Sequence, residues 1–188
     1  MPWFIVTLSY FIGAIPTAYI AGYHEAGSDV RRMGDKNAGA ANAYRELGRR
    51  TGIIVGLVDA AKGVIVILIA QAAGLSQTIV MLAGLAAVIG HNWPVFIGFR
   101  GGRGVSTTIG ILLVLVTLPM LILALPTLLI LIIRRSVTPS MAFLFILLPF
   151  VDWWLKVPAP LIIYGVALPA LVGITTFIRN RQRVLRQA

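Results

Sequence analysis

The sequence predicts an all-α, polytopic integral membrane protein, and three observations predict it. Hydrophobic residues make up 59% of the 188 and charged residues only 12%, a balance unlike that of a soluble domain. Several apolar runs approach the ~20 residues that a membrane-spanning helix needs. Basic residues gather in four segments between those runs, the pattern of loops retained in the cytoplasm. With the apolar runs removed, no soluble domain of useful size is left, so residues 1–188 are expected to form one transmembrane domain. The chain has no cysteine, which excludes disulfides, thiol catalysis and Cys-ligated metals. Two histidines, His24 and His91, are too few for a His-rich centre, and no metal is expected. The net charge of +10 would suit nucleic acid. In a membrane protein it reads instead as loop charge, and no nucleic-acid partner is expected.

Residues 3–23 form the first apolar run. No Lys or Arg precedes it and a small-residue cleavage site is unconvincing, so it reads as a retained span with Pro16 as a kink. Residues 24–51 are the largest polar segment and carry Arg31, Arg32, Lys36, Arg45, Arg49 and Arg50. That cluster puts the segment in the cytoplasm and the N-terminus outside. Within it NAGAANAYRELG, from Asn37, has a helical pattern. At about 100° per residue Asn37, Asn42 and Arg45 share one face with Ala38 and Ala41, opposite Ala40, Ala43, Tyr44 and Leu47. Such a face suits a small polar substrate; it also suits an interfacial amphipathic helix whose polar side is simply wet.

Residues 52–73 form the second span, with Asp59 and Lys62 on neighbouring turns. Charges inside a span usually face the protein and pair, so a structural ion pair is the first reading and a functional one the second. The third span, about 75–90, delivers His91 to the stretch GHNWPVFIGFRGGRGVSTT, residues 90–108. Gly98, Gly101, Gly102 and Gly104 let the backbone approach a ligand and aim N–H groups at a phosphate. Arg100 and Arg103 add charge and forked hydrogen bonds. Ser106, Thr107 and Thr108 follow, and a helix starting after Gly104 would turn its free N–H groups toward the same anion. The spacing is not that of a Walker A loop. The competing reading is a tight membrane-edge turn whose arginines sit among headgroups. His91 fits a base, a phosphate ligand or a hydrogen-bonded anchor, and the sequence by itself favours the anchor.

Residues 105–133 are nearly all apolar and are interrupted by Pro119 and Pro126. Arg134 and Arg135 belong on the side of Arg100 and Arg103, which requires an even number of crossings. Two short helices meeting near Pro119 satisfy this. Residues 139–151 and 159–178 go out and back, joined by Asp152, Trp153, Trp154 and Lys156 as an external interfacial belt. The tail RNRQRVLRQ, from Arg179, is basic and hence internal. The expected topology is about seven transmembrane helices, N-terminus outside and C-terminus cytoplasmic. The inner segments then hold all of the Lys and Arg except Lys62 and Lys156. No internal repeat is evident, which disfavours an inverted-repeat transporter.

The three inner segments, in this order, resemble those of the bacterial acyl-phosphate:glycerol-3-phosphate acyltransferase family, often called the PlsY family. The resemblance covers nearly the whole chain. GHNWPVFIGFRGGRGVSTTIG looks like the family's second motif, with Arg103 where lysine is usual. GAIPTAYIAG and GDKNAGAANAYRELG look like its first motif region, matched at Asn37, Gly39, Asn42 and Arg45. Asp59, Lys62 and Gly63 also stand at a familiar place. The chain departs from the pattern in three places. Asp35 replaces a serine in the first motif, and Ala41 replaces a threonine. Asn180, Gln182 and Arg183 stand where the third motif has His, Glu and Asn. An acidic Asp35 repels a phosphoester unless Lys36 or Arg45 offsets it.

The resemblance implies transfer of a fatty acyl group from acyl phosphate to glycerol 3-phosphate, giving lysophosphatidic acid and phosphate, as a step of phospholipid biosynthesis. It implies Arg45, His91, Arg103 and Asn180 as catalytic residues. It implies Asp35, Lys36, Asn37, Gly39, Asn42, Gly101, Gly102, Gly104, Ser106 and Thr107 as substrate-binding residues. The partners would be the two substrates and membrane lipid; the expected state is a monomer in the inner (plasma) membrane, its site facing the cytoplasm. No metal or organic cofactor is implied. The rival readings are a non-catalytic relative that binds lipid or phosphoester, an enzyme for a different acceptor alcohol, and a small anion transporter. The transporter would need polar groups through the whole membrane, and the outer half offers almost none beyond Asp152 and Lys156.

Overall fold

Proline sets the first break in the chain. The computed structural model describes the backbone of residues 1–185 and side chains as far as Arg181. Helix α1 (Pro2–Ala14) and helix α2 (Thr17–Ala26) are separated at Ile15 and Pro16, because proline lacks the N–H that would continue the ladder. At the break the carbonyl of Ile15 accepts from the Thr17 N–H at 3.0 Å and from Lys62 Nζ at 2.7 Å. Lys62 lies on α4 (Arg49–Ala72), where it also pairs with Asp59 at 2.6 Å. Both are buried, and Thr17 Oγ1 donates to Asp59 at 2.9 Å. The intramembrane charges therefore serve the α1–α2 break, which agrees with a structural ion pair.

A short helix α3 (Ala40–Glu46) precedes α4. It starts later than the sequence pattern suggests, because Gly39 is extended and the turn before it is held by Asp35. Asn37 is consequently outside the helix and does not share its face with Asn42 and Arg45. A small core of Ala18, Val30, Ala38, Ala43 and Val55 packs this polar segment onto α2 and α4.

Helix α5 (Gln77–Asn92) crosses α1 at close range. A Cβ at Gly90 would collide with the carbonyl of Tyr10, so only a glycine admits that approach. Helix α6 (Val105–Leu115) lies along α4 and runs the same way, since residues 56 and 60 of α4 meet residues 106 and 110 of α6.

The break between α6 and α7 (Thr117–Arg134) falls at Val116, not near Pro119. Pro119 sits in the first turn of α7, where its N–H would have had no partner in any case, so it begins a helix instead of ending one. Nor does Pro126 interrupt the chain; α7 runs through it. Helices α8 (Val137–Trp154) and α9 (Ala159–Leu185) complete the bundle, with α8 packed between α7 and α9. Tyr164 on α9 ties back to α5 by donating to Met81 O at 2.7 Å. Among the described residues six helical stretches are long and apolar enough to cross a membrane, α1 and α2 counting as one. Helix α6 is apolar but shorter: its eleven residues rise only about 16 Å against a ~30 Å core, so the expected count of about seven spans is not reached by length.

The outward surface is apolar: Leu57, Leu125, Ile132, Ile146 and Phe150 are all exposed. That arrangement suits lipid as the solvent. Trp153, Trp154 and Lys156 are exposed at the α8–α9 turn, but Asp152 is not part of that belt. It immediately precedes Trp153, about 100° round α8, faces inward beside Gly165 and is fully buried.

Candidate active site

The polar segment before α3 is shaped by its own acids and amides. Asp29 caps a 3-10 turn at Val30–Arg32, accepting from the Arg31 N–H at 2.9 Å and from the Arg31 guanidinium at 2.8 Å. Burial pushes the Asp29 carboxyl up. The hydrogen bonds from Arg31, with the charges of Arg31 and Arg32, outweigh that and hold it below its ordinary value. Arg31 also reaches across to donate to the carbonyl of Ile97 at 2.7 Å, and so staples this segment to the glycine-rich loop. Asn42 is fully buried; it accepts from the Asp35 N–H at 3.1 Å and donates to the carbonyls of Val30 and Met33. Its amide is spent on the 30–35 backbone and does not face a ligand.

The glycine-rich loop is also tied down more than its sequence suggests. The N–H of Gly101 donates to Asn92 O, and that of Gly102 to His91 O, each at 3.1 Å. These two N–H groups cap the end of α5 and are not free to cradle a phosphate. The glycines are there for space: a Cβ at Gly102 would collide with His91 Nε2, and one at Gly101 with the His91 carbonyl. Gly104, at φ +85°, is the left-handed residue from which α6 starts. Arg179 of α9 braces the loop from the other side. Its guanidinium donates to the carbonyls of Gly101, at 2.6 Å, Gly102 and Asn92.

Between these two segments lies a cavity of about 720 Å³. On its wall Asp35 Oδ2 accepts from Arg45 Nη2 at 2.8 Å and stands 3.6 Å from Arg103 Nη2. The same Arg103 nitrogen donates to Asn180 Oδ1 at 3.2 Å. Two arginines 58 positions apart in sequence, from α3 and from the loop before α6, thus converge on one carboxylate. Asn37 Oδ1 and Arg103 Nε are buried there with no partner among the described residues. They are an unused acceptor and an unused donor on one wall.

The cavity wall includes Asp35, Lys36, Asn37, Gly101, Arg103 and Asn180 of the residues expected from sequence. Arg45 joins through Asp35. Gly39, Asn42, Gly102 and Gly104 stand behind the wall, and Thr107 is buried against α4. Ser106 lies beside Gly56 on that same helix contact. Ser106 and Thr107 therefore lie at the α4–α6 packing contact, and Thr108 is buried. His91 is buried behind Gly102, its Nδ1 3.7 Å from Asp59 Oδ1, an anchoring position between the ion pair and the loop. Gln182 and Arg183 have side chains outside the described residues.

Arg100 lines this wall as its place in the glycine-rich stretch suggested, whereas sequence reasoning missed two others, Arg31 and Arg179. Each was read only as charge that orients the chain. Nothing in spacing distinguishes an orienting arginine from one that reaches a carbonyl 78 residues away.

The chain is similar to known proteins over nearly its whole length. A family model described as glycerol-3-phosphate acyltransferase matches residues 3–187. A glycerol-3-phosphate acyltransferase 4 of Dehalococcoides mccartyi is 50% identical, over 98% of this chain and all of the relative. A glycerol-3-phosphate acyltransferase 2 of Moorella thermoacetica is 39% identical over 88% of this chain and 85% of its own length. Among solved structures, PlsY (YgiH), an integral membrane glycerol 3-phosphate acyltransferase in its glycerol 3-phosphate form, superposes with a TM-score of 0.84. That chain is 30% identical, and the match covers 99% of this chain and 91% of that one.

Proposed function

Because the chain belongs to the glycerol-3-phosphate acyltransferase family, we propose that its cavity joins an acyl phosphate to glycerol 3-phosphate. The protein is a membrane acyltransferase of phospholipid biosynthesis. The finer reading concerns donor, residues and orientation. The glycerol 3-phosphate hydroxyl attacks the acyl carbonyl carbon, and the new ester C–O bond forms. The bond from that carbon to the phosphate oxygen breaks, and the phosphate leaves with the hydroxyl proton. The leaving group is good and can take that proton itself, so no covalent acyl-enzyme is needed. What the protein supplies is position and positive charge.

The observation that carries this reading is the meeting of Arg45 and Arg103 at a single carboxylate on the cavity wall. Two guanidinium groups that meet at one carboxylate can each take a phosphate once that carboxylate moves aside. Arg103, oriented by Asn180, holds the acyl-phosphate head; Arg45 holds the phosphate of the acceptor. Asn37 Oδ1, an acceptor without a partner, suits the acceptor's hydroxyl and not its phosphate. Gly101 and Gly102 act by admitting His91 close to the loop, and His91 and Asn42 act as positioning residues. The site lies at the end of the bundle that carries most of the basic residues, which supports an active site on the cytoplasmic face of the plasma membrane.

The test is phosphate release and lysolipid formation by the purified protein in lipid. Arg45→Ala and Arg103→Ala are each expected to lower turnover by about 10²–10³-fold, the scale of a lost transition-state donor, with the fold intact in detergent. Near-full rates in both variants would remove the site assignment. Binding of acyl phosphate without any phosphate release by the wild type would favour the non-catalytic reading instead.

A further inference from the structure

The geometry points to Asp35 as a built-in competitor for the substrate's phosphate, a specificity-determining carboxylate that fills the two-arginine seat until a phosphoester displaces it. This inference rests on the proposed role of Arg45 and Arg103. The seat is described by distance: Asp35 Oδ2 is 2.8 Å from Arg45 Nη2 and 3.6 Å from Arg103 Nη2. A phosphate monoester brings close to two negative charges and three acceptor oxygens to the same place, where Asp35 brings one charge and one oxygen. Arg103 can take more acceptors than it has, since its Nε is buried without a partner.

The loop is built so that the carboxylate can leave while the backbone stays. The Asp35 N–H is anchored on Asn42 Oδ1 at 3.1 Å, and Asn42 is itself fixed to Val30 and Met33. Only Oδ1 of the carboxylate is tied within the loop, by the Asn37 N–H at 3.2 Å. Rotation about the side chain's own bonds gives up that one bond and empties the seat, while the Lys36 N–H to Met33 carbonyl bond, at 2.9 Å, and the anchor on Asn42 still hold the 33–37 backbone. Lys36, at φ +59°, and Gly34, at φ +49°, hold that turn in its left-handed shape.

The consequence is a weaker grip on both the anionic acceptor and the inorganic phosphate produced. Neutralising Asp35 leaves two unopposed guanidinium groups. In Asp35→Asn and Asp35→Ser, the KM and the directly measured Kd for glycerol 3-phosphate are expected to fall by about two- to fivefold, the range for removal of one partly exposed competing charge. The inhibition constant of inorganic phosphate should fall with them. Asp35→Glu keeps the charge and should keep Kd close to the wild-type value.

The experiment uses the full chain in lipid nanodiscs, with calorimetric titration of glycerol 3-phosphate and of inorganic phosphate beside steady-state kinetics. Unchanged or raised Kd in both neutral variants overturns the inference, because Asp35 would then be helping to hold the substrate. A collapse of kcat with Kd unchanged also overturns it and assigns Asp35 to proton handling. The two readings fail separately. Tighter anion binding in the variants of a protein that never forms lysolipid sinks the proposed reaction and keeps the competitor. Normal wild-type turnover with no change of Kd in the variants sinks the competitor alone.

Discussion

At Asp29 a single carboxylate ties the mouth of the cavity together, and its ionisation has a direction that can be checked. Burial raises its pKa, but Arg31 and Arg32 lower it further, so the folded value lies below the unfolded one. A group shifted that way stabilises the fold above its ordinary pKa of about 3.9, and the stability is lost as pH falls through the depressed folded value. At pH 7, Asp29→Asn should therefore melt at a lower temperature than the wild type. The gap should narrow as the pH is taken below about 4. Thermal unfolding in detergent checks this, and a gap that stays constant down to pH 3 would show that Asp29 acts by shape alone. The same scale shows what a sequence can and cannot reveal about a site. That Arg45 and Arg103 share a site was suggested by the motif resemblance, since charge beside small residues at a membrane edge equally fits a wet helix face or a headgroup anchor. Asn42 was legible as important but not in its role. Whether an amide serves a ligand or a backbone carbonyl depends on where residues 30–35 pass, which no local pattern records. Arg179 was illegible for the same reason, since its three carbonyl partners lie on a loop that sequence distance hides.

Among the helices, the spans themselves were readable from apolar length, and their breaks were less so. Pro16 broke its helix where expected, whereas Pro119 did not, and the difference is position within the turn: α2 starts after Pro16, while Pro119 is already inside the first turn of α7. Helix contacts were the least legible, because glycines that permit a close crossing look the same in sequence as glycines that bend a loop. The α4–α6 contact is the one on which the site depends, since α6 begins at Gly104 at the end of the loop. A Cβ at Gly110 would collide with the carbonyl of Ala60, a backbone atom that cannot move aside by changing rotamer. Gly110→Val should therefore destabilise the fold by about 1–3 kcal/mol or more through overpacking. It should also lower turnover, by shifting the start of α6, although residue 110 is far from the cavity wall. Gly173→Val, where a Cβ meets nothing, is the control and should melt near the wild-type temperature. Equal melting of the two variants would mean that the α4–α6 contact is looser than drawn.

Seen over the full chain, the short helix and the charge distribution make one argument about how the cavity meets the membrane. Helix α7, with 18 residues, rises about 27 Å, and α6, with eleven, about 16 Å. If both begin or end on the basic side, Gly104 lies roughly 10 Å deeper than Arg134. The loop that carries Arg103 is then sunk below the headgroups, where an acyl tail can lie between helices while its phosphate meets arginine. That arrangement requires the ends of α8 to face opposite compartments, with Arg135 inside and Lys156 outside. The chain contains no cysteine, so single cysteines can be introduced at either place without background. Both positions are exposed, and neither lines the cavity. In intact cells a membrane-impermeant thiol reagent should label Lys156→Cys and should reach Arg135→Cys only after the membrane is opened. Labelling of Arg135→Cys from outside would invert the topology. It would put the two-arginine seat on the side away from the soluble, doubly charged acceptor, and the proposed reaction would lose its supply of that substrate.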